Sequence, residues 1–103
     1  MENLPDAPEV PALIARAREI LAQVPGLNLQ TAQVTVQTME AQEWRDASLG
    51  CPREGMMYAQ VITPGYLLVM TVDDRTFEFH TDRGENVVLC TIDGEDASTV
   101  LGE

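Results

Sequence analysis

A change of hydrophobic period between residues 24 and 34 does most to limit what this chain can fold into. From Glu9 to Val24 the apolar residues Val10, Leu13, Ile14, Ala17, Ile20, Leu21 and Val24 recur at i, i+3, i+4 and i+7. That spacing predicts a helix with one apolar stripe, and Arg16, Arg18, Glu19 and Gln23 lie mostly off it. Asp6 and Glu9 have the spacing of a capping box. Pro8 and Pro11 fit only in or before the first turn, where amide protons lack partners anyway, and Pro25-Gly26 ends the helix. After Gly26 the period falls to two. Val34 to Met39 alternates, with Val34 and Val36 on one face and Thr35 and Gln37 on the other. Met57 to Thr63 and Tyr66 to Val72 read as further strands, joined by Thr63-Pro64-Gly65-Tyr66 as a type II turn. Asp73-Asp74 turns into a strand from Arg75 to Thr81, and this register sets Leu68 and Met70 against Phe79 and Phe77. Asp82 to Glu85 turns again, into Asn86 to Ile92.

The helix stripe needs an apolar sheet face to cover it, and the strands supply one. The expected class is α+β, with one N-terminal helix packed on a four- to five-stranded antiparallel meander sheet. All 103 residues form one domain, with an ordered core over about residues 6–92 and an acidic, flexible tail over residues 93–103. One connection is long and has no period. It runs from Trp44 to Gly55 and contains Leu49-Gly50-Cys51-Pro52.

Charge narrows the partners. Seventeen acidic residues against six basic ones give a net charge of −11, and every basic residue is arginine. Such a surface repels phosphate backbones and anionic lipid, which argues against nucleic acid as a partner. Without lysine there is no Schiff-base chemistry and no P-loop. No apolar run is long enough for membrane insertion, the longest being Tyr66 to Val72. The first residues, Met-Glu-Asn-Leu-Pro-Asp, lack the apolar region of a signal peptide. The expectation is a cytoplasmic protein, or the mature part of an exported one.

Two cysteines and one histidine are the whole inventory of strong nucleophiles and soft ligands. Cys51 and Cys90 form no C-x-x-C pair, which removes a thioredoxin-type motif. They are read either as a disulfide or as two inert thiols, Cys90 ending an apolar strand as a small hydrophobe. A metal site from Cys51, His80 and Cys90 is a sharper alternative, with Asp82, Asp46 or Glu54 as a fourth ligand, though no recognised ligand spacing supports it. His80 alternates away from Phe77 and Phe79, onto a face expected to be wet. A Cys51–His80 nucleophile pair would depend entirely on folding to bring the two together. Trp44 is expected as a lid on the core, and Met56 and Met57 as core filling, with a sticky patch that could pair with a second copy as the alternative.

The run Trp44-x-Asp46-x-Ser48-Leu49-Gly50-Cys51-Pro52-x-x-Gly55, then Tyr58-x-Gln60-Val61-x-Thr63-Pro64-Gly65-Tyr66, Phe79-His80-Thr81-Asp82 and Val87-Val88-Leu89-Cys90 resembles a small, largely uncharacterised bacterial domain. The resemblance covers roughly residues 9 to 92. It implies an exported or membrane-anchored setting, and with it a Cys51–Cys90 disulfide. The helix-then-meander order is also similar to PepSY-type domains, which implies a link to peptidase regulation. Together these readings point to a non-catalytic binding or regulatory module that needs no cofactor. Its contact surface would be the 44–55 loop with its neighbours: Trp44, Asp46, Leu49, Pro52, Tyr58, His80 and Asp82. The partner would be another protein or peptide, the chain itself being a monomer or weak homodimer. The alternatives are the metal- or thiol-dependent site at Cys51, His80 and Cys90, and a purely structural or oligomerising domain.

Overall fold

The computed structural model describes residues 4–53 and 55–102. Its elements are α1 (Val10–Leu21), β1 (Val34–Trp44), β2 (Thr63–Val72), β3 (Arg75–Asp82), β4 (Val87–Ile92), β5 (Glu95–Asp96) and α2 (Ala97–Leu101). The five strands form one antiparallel meander in the order β1-β2-β3-β4-β5, so the architecture is α+β as the period change predicts.

Helix α1 buries Val10, Leu13, Ala17 and Leu21, the stripe read from the sequence. It lies over a sheet face made by Tyr66, Leu68, Met70 and Val72 of β2 with Phe77 and Phe79 of β3. Leu68 pairs with Phe79 and Met70 with Phe77, the expected register. Each of these large side chains is almost completely withdrawn from water, which contributes about 1.5–3 kcal/mol apiece. The capping box does not form. Glu9 occupies the N-cap without a side-chain cap bond, and its carboxylate is used elsewhere: it accepts from the Tyr66 hydroxyl at 2.6 Å and from Arg83 at 3.3 Å. These bonds tie the start of the helix to the sheet.

Two bulges decide which side chains face the helix. In β1 the register shifts between Val36 and Thr38, so that Val36 pairs with Met70 and Met39 with Leu68. The extra residue, Gln37, keeps Met39 on the core side where strict alternation would place Thr38. In β4, Ile92 pairs with Phe77 but Leu89 with Phe79. Leu89 and Ile92 thus both enter the core, and the intervening Cys90 turns to the opposite face.

The expected strand from Met57 to Thr63 and its type II turn are corrected by the structure. Thr63, Pro64 and Gly65 are the first residues of β2, opposite Trp44, Glu43 and Gln42. Residues 57–62 form no ladder, and the Ala59 carbonyl accepts from the Ala47 amide of the same loop at 2.9 Å. Gly65 has a packing role instead of a turn role: a Cβ there would collide with the Thr81 carbonyl on β3. Strand β1 also runs five residues past the expected end, to Trp44. The stretch expected as a flexible acidic tail carries β5 and α2. The Asp96 carboxylate caps α2 by accepting from the Ser98 amide at 2.9 Å, and Ala97 is buried in the core. No helix among the described residues is long and apolar enough to cross a membrane.

Candidate functional site

The sheet face opposite α1 carries Trp44, Glu78, His80 and Cys90, and the loop after β1 folds back over part of it. The loop is shaped first by Asp46, whose carboxylate accepts from the Ser48 amide at 2.9 Å and from the Ser48 hydroxyl at 2.5 Å. The Ser48 hydroxyl, then the Ser48 amide, hold the Asp46 carboxyl below the ordinary aspartate value. Leu49 and Gly50 follow with φ of 60° and 77°. A left-handed leucine costs about 1–2 kcal/mol. Burial of its side chain offsets this, Leu49 being only 4% exposed. Gly50 is required twice over: its φ suits glycine, and a Cβ would press on the Trp44 ring at 3.0 Å and on His80 Nδ1 at 3.3 Å.

Trp44 and His80 stack with ring centroids 4.3 Å apart and planes 12° apart. The Trp44 indole N–H donates to the Thr81 carbonyl at 2.9 Å, which fixes the indole over β3. His80 Nδ1 lies 2.6 Å from the Leu49 carbonyl, and Nε2 lies 2.7 Å from Glu78 Oε2. A carbonyl can only accept, so Nδ1 donates. The wet environment expected for His80 is therefore overturned. The residue does lie on the face away from Phe77 and Phe79, but loop and indole cover it to 8% exposure.

Beside this stack, Cys51 of the loop and Cys90 of the β4 bulge form a disulfide, with Cα atoms 5.8 Å apart. The sulfurs and a ring nitrogen of His80 lie within 4.8 Å of one another. Folding thus gathers three residues separated by 29 and 10 positions in the chain. An open hollow of ≈ 880 Å³ adjoins them, bordered also by Gly50, Met56, Glu78 and Thr91. With both sulfurs in the bridge, Cys51 has no thiolate with which to attack, so the Cys51–His80 nucleophile pair is not formed.

The other expected surface residues divide. Leu49 is buried as the loop's anchor and Pro52 is exposed beside the bridge. The Tyr58 hydroxyl accepts from the Arg53 amide at 3.0 Å and so closes the far part of the loop. Asp82 is a turn residue, its carboxylate accepting from the amides of Gly84 and Asn86 and from the Asn86 side chain. Neither Asp46 nor Asp82 joins the cysteine–histidine group, and Glu54 lies outside the described residues. Two participants were missed from sequence. Glu78 reaches His80 because the two are i, i+2 on one strand face, a spacing visible in the sequence but not singled out. The other is the apolar return of the loop, where a strand and core filling were expected and the sticky-patch alternative for Met56 and Met57 is what stands: Met56 is 60%, Met57 94%, Val61 56% and Ile62 70% exposed.

A family model described as a domain of unknown function, DUF8738, matches residues 14–90, and the chain belongs to that family. No curated protein and no solved structure matches it.

Proposed function

We propose that the protein is a non-catalytic binding module that engages another protein or peptide through the loop between β1 and β2. The observation carrying this reading is that Met56, Met57, Val61 and Ile62 stand exposed on a segment tied down on both sides. Upstream it is held by the Cys51–Cys90 bridge, at its middle by the Ala47 amide donating to the Ala59 carbonyl, and downstream by the entry into β2. A free chain of this apolarity would collapse onto its own core, whereas a tethered one keeps its apolar area available to a partner. Tethering also lowers the ordering entropy lost on association. The net charge of −11 favours a partner whose apolar patch is rimmed by basic residues. The PepSY-like order of elements makes peptidases the first partner class to assay.

The test compares wild-type protein with a Met57→Asp/Ile62→Asp variant and a Glu19→Ala control on α1, in peptidase inhibition and in capture of purified candidates. The expected result is binding by wild type and control that the loop variant loses while its unfolding midpoint is unchanged. Equal binding by all three, or none by any, removes the reading. Light scattering of the free chain separates a second copy of itself from a different partner.

A further inference from the structure

The groups that clasp the loop are also a ligand set. Tetrahedral zinc, with Zn–S near 2.3 Å and Zn–N near 2.0 Å, sets its ligand atoms about 3.5–3.8 Å apart. The sulfurs of Cys51 and Cys90 and a nitrogen of His80 already lie within 4.8 Å of one another, so adjustments on the order of 1 Å convert one arrangement into the other. We propose that, when the disulfide is reduced, Cys51, Cys90 and His80 hold a thiophilic divalent cation of the zinc type. The loop is then clasped by a covalent bond under oxidising conditions and by a metal ion under reducing ones.

The chemistry balances. A dithiol reductant transfers two electrons to the S–S bond and is itself oxidised to a disulfide. The Cys51–Cys90 bond breaks and each sulfur takes one proton. The cation displaces those two protons and the hydrogen shared by His80 Nε2 and Glu78, and accepts electron pairs from two thiolates and one imidazole nitrogen.

Three features support the assignment beyond proximity. The Leu49 carbonyl accepts from Nδ1 of His80, which leaves Nε2, now hydrogen-bonded to Glu78 Oε2 at 2.7 Å, as the nitrogen a cation would take over from that bond. A hydrogen bond of this kind to a backbone carbonyl is how ligating histidines are usually oriented. The Trp44 ring, stacked on the imidazole, restrains its plane. The Glu78 carboxylate, 2.7 Å from Nε2, restrains that edge of the ring, although it is not itself one of the three grouped ligands. The adjoining hollow provides the route of entry. The inference does not rest on the binding role of the loop, and neither outcome below bears on that role.

The test uses the full chain, reduced anaerobically with a phosphine, freed of metal and titrated with cobalt(II). The expected result is one equivalent bound with the intense visible bands of tetrahedral thiolate-ligated cobalt, which zinc then bleaches by displacement. The oxidised chain is expected to show no such bands. His80→Asn keeps both cysteines, and its fold is checked in the oxidised form; its reduced form is expected to bind at least about tenfold more weakly. Cys90→Ser is expected to abolish the bands. Should the reduced, metal-free chain unfold, cobalt or zinc is expected to restore its far-ultraviolet circular dichroism. A pale octahedral spectrum from reduced wild type, unchanged affinity in His80→Asn, or an unfolded reduced chain that metal does not refold would each overturn the proposal.

Discussion

Replacing Cys51 and Cys90 together by alanine is expected to remove about 4 kcal/mol of stability, chiefly by releasing the unfolded chain. The bridge joins positions 39 apart in sequence. In the chain-entropy model a closed loop of ~40 residues lowers the entropy of the unfolded chain by about 13 cal/mol/K, which is about 4 kcal/mol at 298 K. A domain of this size has about 5–15 kcal/mol in total, so the bridge accounts for a large share. The loop enclosed is not a floppy segment: it contains all of β2 and β3 and part of β4, whose ladders are made by backbone hydrogen bonds and not by the bridge. The double variant is therefore expected to fold at 25 °C, with the Trp44–His80 stack and the Leu49 anchor still closing the loop. The assay is urea unfolding followed by circular dichroism in metal-free buffer. With a slope of about 2 kcal/mol/M, the midpoint falls by about 2 M. The slope itself rises, because the released chain exposes more surface when it unfolds. Reduced wild type is expected to match the double variant within about 1 kcal/mol. A loss smaller than about 1 kcal/mol would refute the reasoning, since the bridge would then not be what restrains the unfolded state.

Gly65→Ala is expected to destabilise by about 3 kcal/mol or more, because the new Cβ meets the Thr81 carbonyl and neither backbone can move without breaking the β2–β3 ladder; thermal unfolding within 0.5 kcal/mol of wild type would count against it. The Glu9–Tyr66 bond gives a pH signature. The Tyr66 hydroxyl, followed by a backbone hydrogen bond and the charge of Arg83, holds the Glu9 carboxyl below its ordinary value. Its contribution is thus fully present above the ordinary glutamate range and is lost as pH falls through the lowered value. Burial, then the Glu9 hydrogen bond, raises Tyr66, whose contribution is present below the ordinary tyrosine value and lost as alkaline pH passes the raised one. Tyr66→Phe is therefore expected to be less stable than wild type at neutral pH, with the gap closing as pH falls through the lowered Glu9 value; a gap independent of pH in denaturant melts would exclude this coupling.

The sequence by itself determined the layers. A 3.6-residue stripe in one segment and a two-residue alternation in those that follow have only one economical solution, a helix laid on an antiparallel sheet, and the Leu68–Phe79 and Met70–Phe77 pairs were legible from the Asp73-Asp74 turn. Such features arise from contacts a few residues apart, where periodicity is set by the backbone itself.

The contacts between elements were not legible locally. The Pro64-Gly65 dipeptide carries every local mark of a turn, yet the space beside Thr81 demands a glycine inside β2, and Met57 to Ile62 stay outside the sheet. Alternation placed His80 on the correct face but could not reveal that a loop 31 residues earlier would cover it and accept its hydrogen bond at Leu49. The bulge that turns Cys90 toward Cys51 depends on Leu89 and Ile92 both entering the core, a demand made by Phe77 and Phe79 on the neighbouring strand. Local patterns encode which way a side chain points; what it meets there depends on chain brought from far away, and that is where the cysteine–histidine cluster and the exposed apolar loop arise.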